Sequence, residues 1–255
     1  MKENGYIIIE GNIGAGKSTL AQAIVNAMQN RLLKSTYLAE PDEKTNPFLK
    51  SYYAQPNETA FKMQMHLLST RYISTQAAQW GALSGLGWFV MDRSYFGDLC
   101  FANVQKKDGY FTNDEFNSYV NAHKAMQTNI HFPTAAIFLK SDVQICRQRI
   151  DKRISEKAGR KCESGISLEY LSSLQCEINK LQSFMENHTT VIELSYNADL
   201  NKDQIDSIAS GIVDRLTNTN DNRNDFFSPW GACSNVLFNT KNIDFLRDDN
   251  VYEGL

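Results

Sequence analysis

The sequence predicts a three-layer α/β domain: a five-stranded parallel sheet with helices on both faces, entered through a phosphate-binding loop. Three observations carry this expectation. Short β-branched runs alternate with stretches of helical apolar spacing. The first run leads directly into a Gly-rich loop that ends in Lys-Ser. A chain of 255 residues, 42% hydrophobic and 22% charged, has the composition of one ordinary globular α/β domain.

The elements follow in order. Tyr6 to Glu10 is a β-branched run, the pattern of a strand buried on both faces. After the Gly-rich turn, Ser18 to about Lys34 carries Leu20, Ile24, Val25, Met28 and Leu32 at helical spacing. Tyr37 to Ala39 is a second strand, stopped by Glu40-Pro41, and Pro47 to Tyr53 reads as a short helix. A long helix runs from Asn57 to about Leu83 with Phe61, Met65, Leu68 and Tyr72 on one face, and Gly85 and Gly87 break it. Trp88 to Met91 is the third strand, and a helix to about Lys106 follows Asp92-Arg93-Ser94. Thr112 with Glu115 three residues on is a capping box, so a helix starts there and runs to about Asn129. Pro133 precedes a fourth strand, Ala135 to Leu139. Ser141 is expected to cap a helix to about Arg153, and residues 154–166 read as a loop. Ser167 caps a helix to about Asn187, Thr190 to Leu194 is the fifth strand, and Asp203 to Leu216 the last helix. Residues 1–217 thus form one domain, and 218–255, rich in Asn and without sustained apolar period, an irregular tail.

Lys plus Arg number 26 against 29 Asp plus Glu, a net charge of −3. No domain-wide cationic surface speaks for a nucleic-acid partner. The apolar run at Tyr6 to Ile9 is too short for a signal peptide or membrane span, so a cytoplasmic protein is expected. Cys100, Cys146, Cys162, Cys176 and Cys233 lack zinc-ligand spacing and read as reduced thiols. His66, His123, His131 and His188 read as structural or surface groups, and Trp88, Phe89 and Phe138 as core.

Gly11-Asn12-Ile13-Gly14-Ala15-Gly16-Lys17-Ser18 matches G-x-x-x-x-G-K-[ST] between a strand and a helix, the context the motif requires. Such glycines let backbone N–H groups close around phosphate oxygens, and the helix adds its positive end. Lys17 is expected to bridge the β- and γ-phosphates of a nucleoside triphosphate, and Ser18, with Asp92, to hold Mg²⁺. The motif names the donor and leaves the acceptor open. In a doubly wound sheet the carboxyl ends of strands line the ligand crevice. Glu40 and Asp92-Arg93-Ser94 therefore converge on the loop, with Glu40 placed to take a proton from a substrate hydroxyl. Arg93 is placed to hold the phosphate or to pin Glu40.

On these residues the chain resembles the deoxyribonucleoside kinase family, which includes deoxycytidine, deoxyguanosine and deoxyadenosine kinases. The matching stretches are Glu10 to Thr19, Glu40-Pro41, Tyr53 before Pro56, Phe61 to Gln64 with Arg71, Asp92 to Ser94 with Asp98, and Arg160 to Leu171. They keep the family's order over residues 5–195. The resemblance implies a P-loop kinase fold with an Arg-bearing lid, ATP or another nucleoside triphosphate as donor, Mg²⁺, and a homodimer built on helices 57–83 and 112–129. It implies Glu40 as general base on the 5′-hydroxyl, Gln64 against the base, and Tyr53 and Glu163 on the sugar 3′-hydroxyl. Arg71 with Asp98 is the pair of family members that take purine or cytosine deoxynucleosides, whereas thymidine-preferring members carry small or apolar residues there. Phe61 and Phe101, with Phe132, are expected as walls of a base slot. The lid carries Arg147, Arg149, Arg153 and Arg160, of which Arg153 and Arg160 are expected on the phosphates. Its Ile154 to Gly159 stretch is several residues longer than the family's usual lid.

Three competing readings share the phosphate-binding loop. A thymidylate-type nucleotide kinase would need a site for an acceptor phosphate. A silent subunit of a kinase heterodimer would show loss of Lys17, Glu40 or Arg93, and all three are present. A regulatory GTPase would carry a guanine-reading Asn-Lys-x-Asp stretch, which the sequence lacks.

Overall fold

The computed structural model describes residues 2–41, 45–156 and 161–218. Five parallel strands, β1 (Gly5–Gly11), β2 (Ser35–Leu38), β3 (Trp88–Asp92), β4 (Ala135–Lys140) and β5 (Thr190–Ser195), form one sheet in the order β2-β3-β1-β4-β5. The chain starts at the central strand β1, crosses to the edge strand β2, returns to insert β3 between them, and then adds β4 and β5 on the other side. β1 pairs with β3 from Gly5 opposite Trp88 to Ile9 opposite Asp92, and with β4 from Ile7 opposite Ala135 to Gly11 opposite Leu139. That register aligns the carboxyl ends of the three central strands. The topological switch between β3 and β4 falls on β1, where the Gly-rich loop begins.

Eight α-helices cover the sheet among the described residues: α1 (Lys17–Gln29), α2 (Leu49–Ala54), α3 (Pro56–Leu83), α4 (Tyr95–Lys107), α5 (Asn113–Gln127), α6 (Val143–Ser155), α7 (Leu168–Glu186) and α8 (Lys202–Asn218). Alternation along β1 feeds two cores. Ile7 and Ile9 pack with Leu20, Ile24, Ile150, Ile212 and Val213 from α1, α6 and α8. Tyr6 and Ile8 pack with Leu68, Phe96, Tyr119 and Leu174 from α3, α4, α5 and α7. The three isoleucines are fully buried, each contributing roughly 1.5–3 kcal/mol of transfer free energy.

The capping box at Thr112 is present in full, with Thr112 Oγ1 accepting from the Glu115 backbone and Glu115 accepting from the Thr112 N–H. Ser167 caps α7 by accepting from the Tyr170 N–H at 3.1 Å. The expected cap at Ser141 is corrected. Asp142 caps α6 through the Gln144 N–H at 2.8 Å, while Ser141 donates to the Tyr196 carbonyl. The stretch read as a loop over 154–166 is partly helical: α6 continues to Ser155, and Lys161–Gly165 is a 3-10 helix. The buried face of α3 also differs from the apolar stripe read from sequence. It runs through Ala60, Met63, Gln64, Leu67, Leu68, Arg71, Thr75, Ala78 and Gln79. Gln64 and Arg71 sit inward, so polar groups occupy positions that an apolar count assigns to the surface. Arg160 and residues 219–255 lie outside the described residues.

Trp88 and Phe138 are fully buried, as expected of core. Phe132 is corrected from a base-slot wall: it stacks between Phe96 at 5.4 Å and His188 at 4.5 Å, before β4 begins and so at the sheet end opposite the loop. Cys100 and Cys146 are buried free thiols and Cys176 an exposed one.

His123 lies in the same core, 3% exposed and stacked on Tyr95 at 4.2 Å. Burial pushes its imidazole down to about 3. The unfolded chain takes up that proton near pH 6.5, so this group's stabilisation is present above pH 6.5 and falls away as the pH drops toward 3. Between pH 7 and pH 5 the chain should therefore lose about 2 kcal/mol of stability that a His123→Phe variant does not lose. Urea titrations of both proteins at the two pH values measure the difference, and equal losses would contradict it.

Candidate active site

The loop from Gly11 to Ser18 is shaped by two left-handed glycines. Gly14 has φ of +80° and Gly16 +96°. A Cβ on Gly14 would stand 2.6 Å from the Cys146 carbonyl oxygen, and one on Gly16 2.9 Å from the Tyr196 ring. Backbone angle and space both exclude side chains, so the loop packs closely against α6 and Tyr196, with the Ile13 N–H turned to Asn12 Oδ1 at 2.9 Å and the Ala15 N–H to the Asn12 carbonyl at 3.2 Å. Ala15 is buried, and the exposed Ser18 and Thr19 open α1. Asn12, fully buried, ties the loop to α7 by donating to the Leu171 carbonyl at 2.8 Å and to Gln175 Oε1 at 3.3 Å. Lys17 is 6% exposed and donates to the carbonyls of Asn12 (2.8 Å) and Gly11 (3.2 Å). Burial, reinforced by the Arg93 charge, pulls its ammonium down to about 8.

Asp92 ends β3 beside the loop. Its Oδ2 accepts from Ser18 Oγ at 2.5 Å and from the Tyr37 hydroxyl at 3.3 Å, while Oδ1 is buried without a hydrogen-bond partner. A carboxylate oxygen left open next to a hydroxyl suits a hard, oxygen-seeking cation. Ser18 and Asp92 therefore fit Mg²⁺.

Arg93 follows in the left-handed region at φ +67°, an uncommon conformation for a side-chain residue and one that collects at functional sites. The turn brings its guanidinium back over the crevice. Nη1 donates to the Gly11 carbonyl at 3.1 Å and Nε to Glu40 Oε2 at 3.0 Å, with Glu40 Oε1 in ion-pair contact 2.9 Å from Nε. Glu10, buried beneath, lies 3.9 Å from Nη1 and accepts from Ser94 Oγ at 2.7 Å. Glu40, 24% exposed, also accepts from Arg71 Nη2 at 2.6 Å. Burial favours its protonated form, but Arg93, Arg71 and Lys17 outweigh it and hold the carboxyl at about 2. Glu40 is thus ionised at every pH where the protein would work.

A second polar cluster lies behind it. Asp98, fully buried in the first turn of α4, pairs with Arg71 Nη1 and accepts from Gln64 Nε2 (2.8 Å) and the Tyr119 hydroxyl (2.6 Å). Gln105 donates to Gln64 Oε1 at 3.0 Å. The Phe101 ring lies 4.6 Å from the Arg93 guanidinium and 5.2 Å from that of Arg71. These contacts link five carboxylates and guanidiniums, Asp98, Arg71, Glu40, Arg93 and Glu10, in alternating sign.

This chain of charges joins the Gly-rich loop to the buried polar cluster around Asp98. The family model for deoxynucleoside kinases matches residues 7–218. The chain belongs to the deoxynucleoside kinase family. A deoxyguanosine kinase of Dictyostelium discoideum is 33% identical over 192 residues, 75% of this chain and 64% of that protein. The deoxyadenosine kinase of the same organism is 28% identical over 203 residues, 80% of this chain and 77% of its own length. The M. mycoides deoxyadenosine kinase, solved with bound dATP, superposes with a TM-score of 0.67 at 24% identity, covering 82% of this chain and 99% of that one. That likeness is one of fold, and the fold is the P-loop kinase fold.

The other residues expected at the site lie in α2, α3, α6 and the 3-10 helix. Glu163, 3% exposed in the 3-10 helix, pairs with Arg153 of α6. Tyr53 lines a cleft of about 430 Å³ with Tyr52, Tyr110, Ile166 and Tyr170, next to that segment. Phe61 packs edge-on to Phe111 at 6.0 Å and reaches the Asp98 cluster indirectly, through Phe111 and Tyr119. Arg149 touches the loop itself, donating to the carbonyls of Tyr196 (3.1 Å) and Ala15 (3.5 Å) over the Tyr196 ring. Glu10, Tyr37, Gln105 and Tyr119 are absent from the sequence-based site. Glu10 carries a sequence signal, an acid inside a strand otherwise buried on both faces. The other three make contacts 21 to 55 residues away, which no local pattern reveals.

Proposed function

We propose that this kinase transfers the γ-phosphoryl group of ATP, or of another nucleoside triphosphate, to the 5′-hydroxyl of a deoxyribonucleoside. Purine and cytosine bases are favoured over thymine. The observation that carries the reading is the position of Glu40, an ionised carboxylate held by Arg93, whose other end donates to the phosphate loop at Gly11. One guanidinium so fixes the distance between proton acceptor and phosphate cradle.

In the step, the 5′-oxygen forms a bond to the γ-phosphorus as the bond from γ-phosphorus to the bridging oxygen breaks. The 5′-hydroxyl proton passes to Glu40, and the electron pair leaves on the nucleoside diphosphate. Lys17, the loop N–H groups and Arg93 face the charge that spreads over the transferring group. Ser18 and Asp92 would hold Mg²⁺, which when bound neutralises charge on the β- and γ-phosphates. Tyr53 and Glu163 hold the sugar 3′-hydroxyl, Gln64, Arg71, Asp98, Phe61 and Phe101 the base, and Arg153 and Arg160 close over the phosphates. The relatives named for deoxyguanosine and deoxyadenosine support the base preference, as does the buried Arg71–Asp98 pair. A nucleotide kinase is disfavoured because an acceptor phosphate would lie against the Glu40 carboxylate.

The chain acts as a homodimer, in the cytoplasm, on small molecules of nucleotide salvage. Ile73 and Trp80, two turns apart on α3 and 64% and 52% exposed, support a second copy against that helix. No helix among the described residues is long and apolar enough to cross a membrane. A panel of deoxyadenosine, deoxyguanosine, deoxycytidine, deoxyuridine and thymidine, run beside their 5′-monophosphates, tests the assignment. Phosphorylation of the first three nucleosides supports it. Preference for thymidine, or for the monophosphates, would overturn it. Sedimentation at micromolar concentration should show a dimer.

A further inference from the structure

Arg71 touches both ends of the acceptor site. Nη2 donates to Glu40 Oε1 at 2.6 Å, and Nη1 is fixed on Asp98 Oδ1. Its guanidinium is 4% exposed and lies against Phe101. Asp98 in turn is pinned by Gln64 and Tyr119. One planar fork therefore runs from the wall that meets the base to the carboxylate that takes the hydroxyl proton.

We propose that Arg71 couples base recognition to the chemical step: it occupies Glu40 Oε1 until a base bearing an unprotonated ring nitrogen draws Nη2 away. This rests on Glu40 being the proton acceptor. Oε1 already accepts from Arg71 at 2.6 Å and lies 2.9 Å from Arg93 Nε, whose N–H donates to Oε2 at 3.0 Å. An oxygen held by one guanidinium at short distance and lying against the charge of a second is a poor acceptor for an incoming proton. Arg71 cannot deprotonate, so relief comes by moving its fork. Asp98 makes that movement tolerable, because Nη1 keeps its partner while Nη2 turns. Adenine, guanine and cytosine each carry a ring nitrogen with a free lone pair. Thymine carries none, its N3 being an N–H donor. A thymine would leave Arg71 on Glu40 and be bound without being efficiently phosphorylated. Base choice thus reads out in kcat as well as in KM.

The test uses the full chain. For the wild type, kcat with deoxycytidine should exceed kcat with thymidine by about tenfold or more, a loss confined to the transition state. Two variants follow: Arg71→Lys, which keeps the charge without the two-pronged reach, and Arg71→Met with Asp98→Asn, which removes both charges so that none is stranded. In both, the two kcat values should draw to within about threefold of each other, while KM rises for both nucleosides. A wild type without kcat discrimination, or variants that keep the wild-type kcat ratio and change KM alone, would overturn the coupling. If neither variant folds, 3-deazadeoxycytidine on the wild type decides: it lacks the ring acceptor, and its kcat should fall about tenfold below that of deoxycytidine. Equal kcat values would sink the idea. Glu40→Gln separates the two readings. A fully active Glu40→Gln defeats the base assignment, whereas an inactive one with an unmoved kcat ratio in the Arg71 variants defeats the coupling alone.

Discussion

Glu40→Gln should lower kcat by about a hundred- to ten-thousand-fold while deoxynucleoside affinity changes only a few-fold. The amide keeps the volume and one carbonyl acceptor for Arg93 Nε. It cannot take the 5′-hydroxyl proton. Folding should survive, because each guanidinium keeps another partner: Arg71 retains Asp98, and Arg93 retains the Gly11 carbonyl and Glu10. Rapid-quench measurement of the first turnover, beside equilibrium titration with deoxycytidine, checks both halves. A variant with wild-type kcat would show that another group accepts the proton. A variant that no longer binds nucleoside would show that Glu40 serves binding rather than chemistry.

Lys17→Ala should cost about a hundred- to a thousand-fold in kcat/KM for the triphosphate, the usual effect of removing one preorganised donor from a developing anion. Its effect on folding should be small. The ammonium is buried and bonds to two loop carbonyls, and burial already lowers its affinity for the proton. Removing a desolvated cation relieves that penalty while orphaning two carbonyls, so the two terms nearly offset. Thermal melts without nucleotide should therefore agree between the two proteins, and the stabilisation that ATP gives the wild type should disappear. A large drop in the melting temperature of Lys17→Ala alone would mean that the lysine is a structural element of the loop.

Much of this was legible in the sequence because the phosphate loop is a local device. Strand, glycines, lysine and helix are contiguous, so Gly11 to Thr19 can be read without knowing the fold. Glu40 and Arg93 were legible at one remove, since a parallel sheet brings the residues after β2 and β3 to the same edge. The capping box at Thr112 is local as well. The buried face of α3 was legible only in part: the pairing of Arg71 with Asp98 was expected from the family resemblance and is present, but a polar residue on a buried face defeats an apolar count, so the stripe read from Phe61, Met65, Leu68 and Tyr72 missed the inward positions of Gln64 and Arg71. Asp142 displaced Ser141 as the cap of α6 for a similar reason. The Ser141 hydroxyl is used by the Tyr196 carbonyl, 55 residues away. The contacts of Gln105 and Tyr119 with the Gln64–Asp98 cluster, and the left-handed turn at Arg93, belong to tertiary structure and leave no mark in a single sequence.

The most direct test of the account follows the label from γ-³²P-ATP in a reaction with deoxycytidine and Mg²⁺. Labelled 5′-monophosphate is expected from the wild type, at least about a hundredfold less from Lys17→Ala or Glu40→Gln, and no transfer when deoxycytidine 5′-monophosphate replaces the nucleoside. Label appearing on the monophosphate as a diphosphate, or released as inorganic phosphate with no nucleoside product, would contradict it.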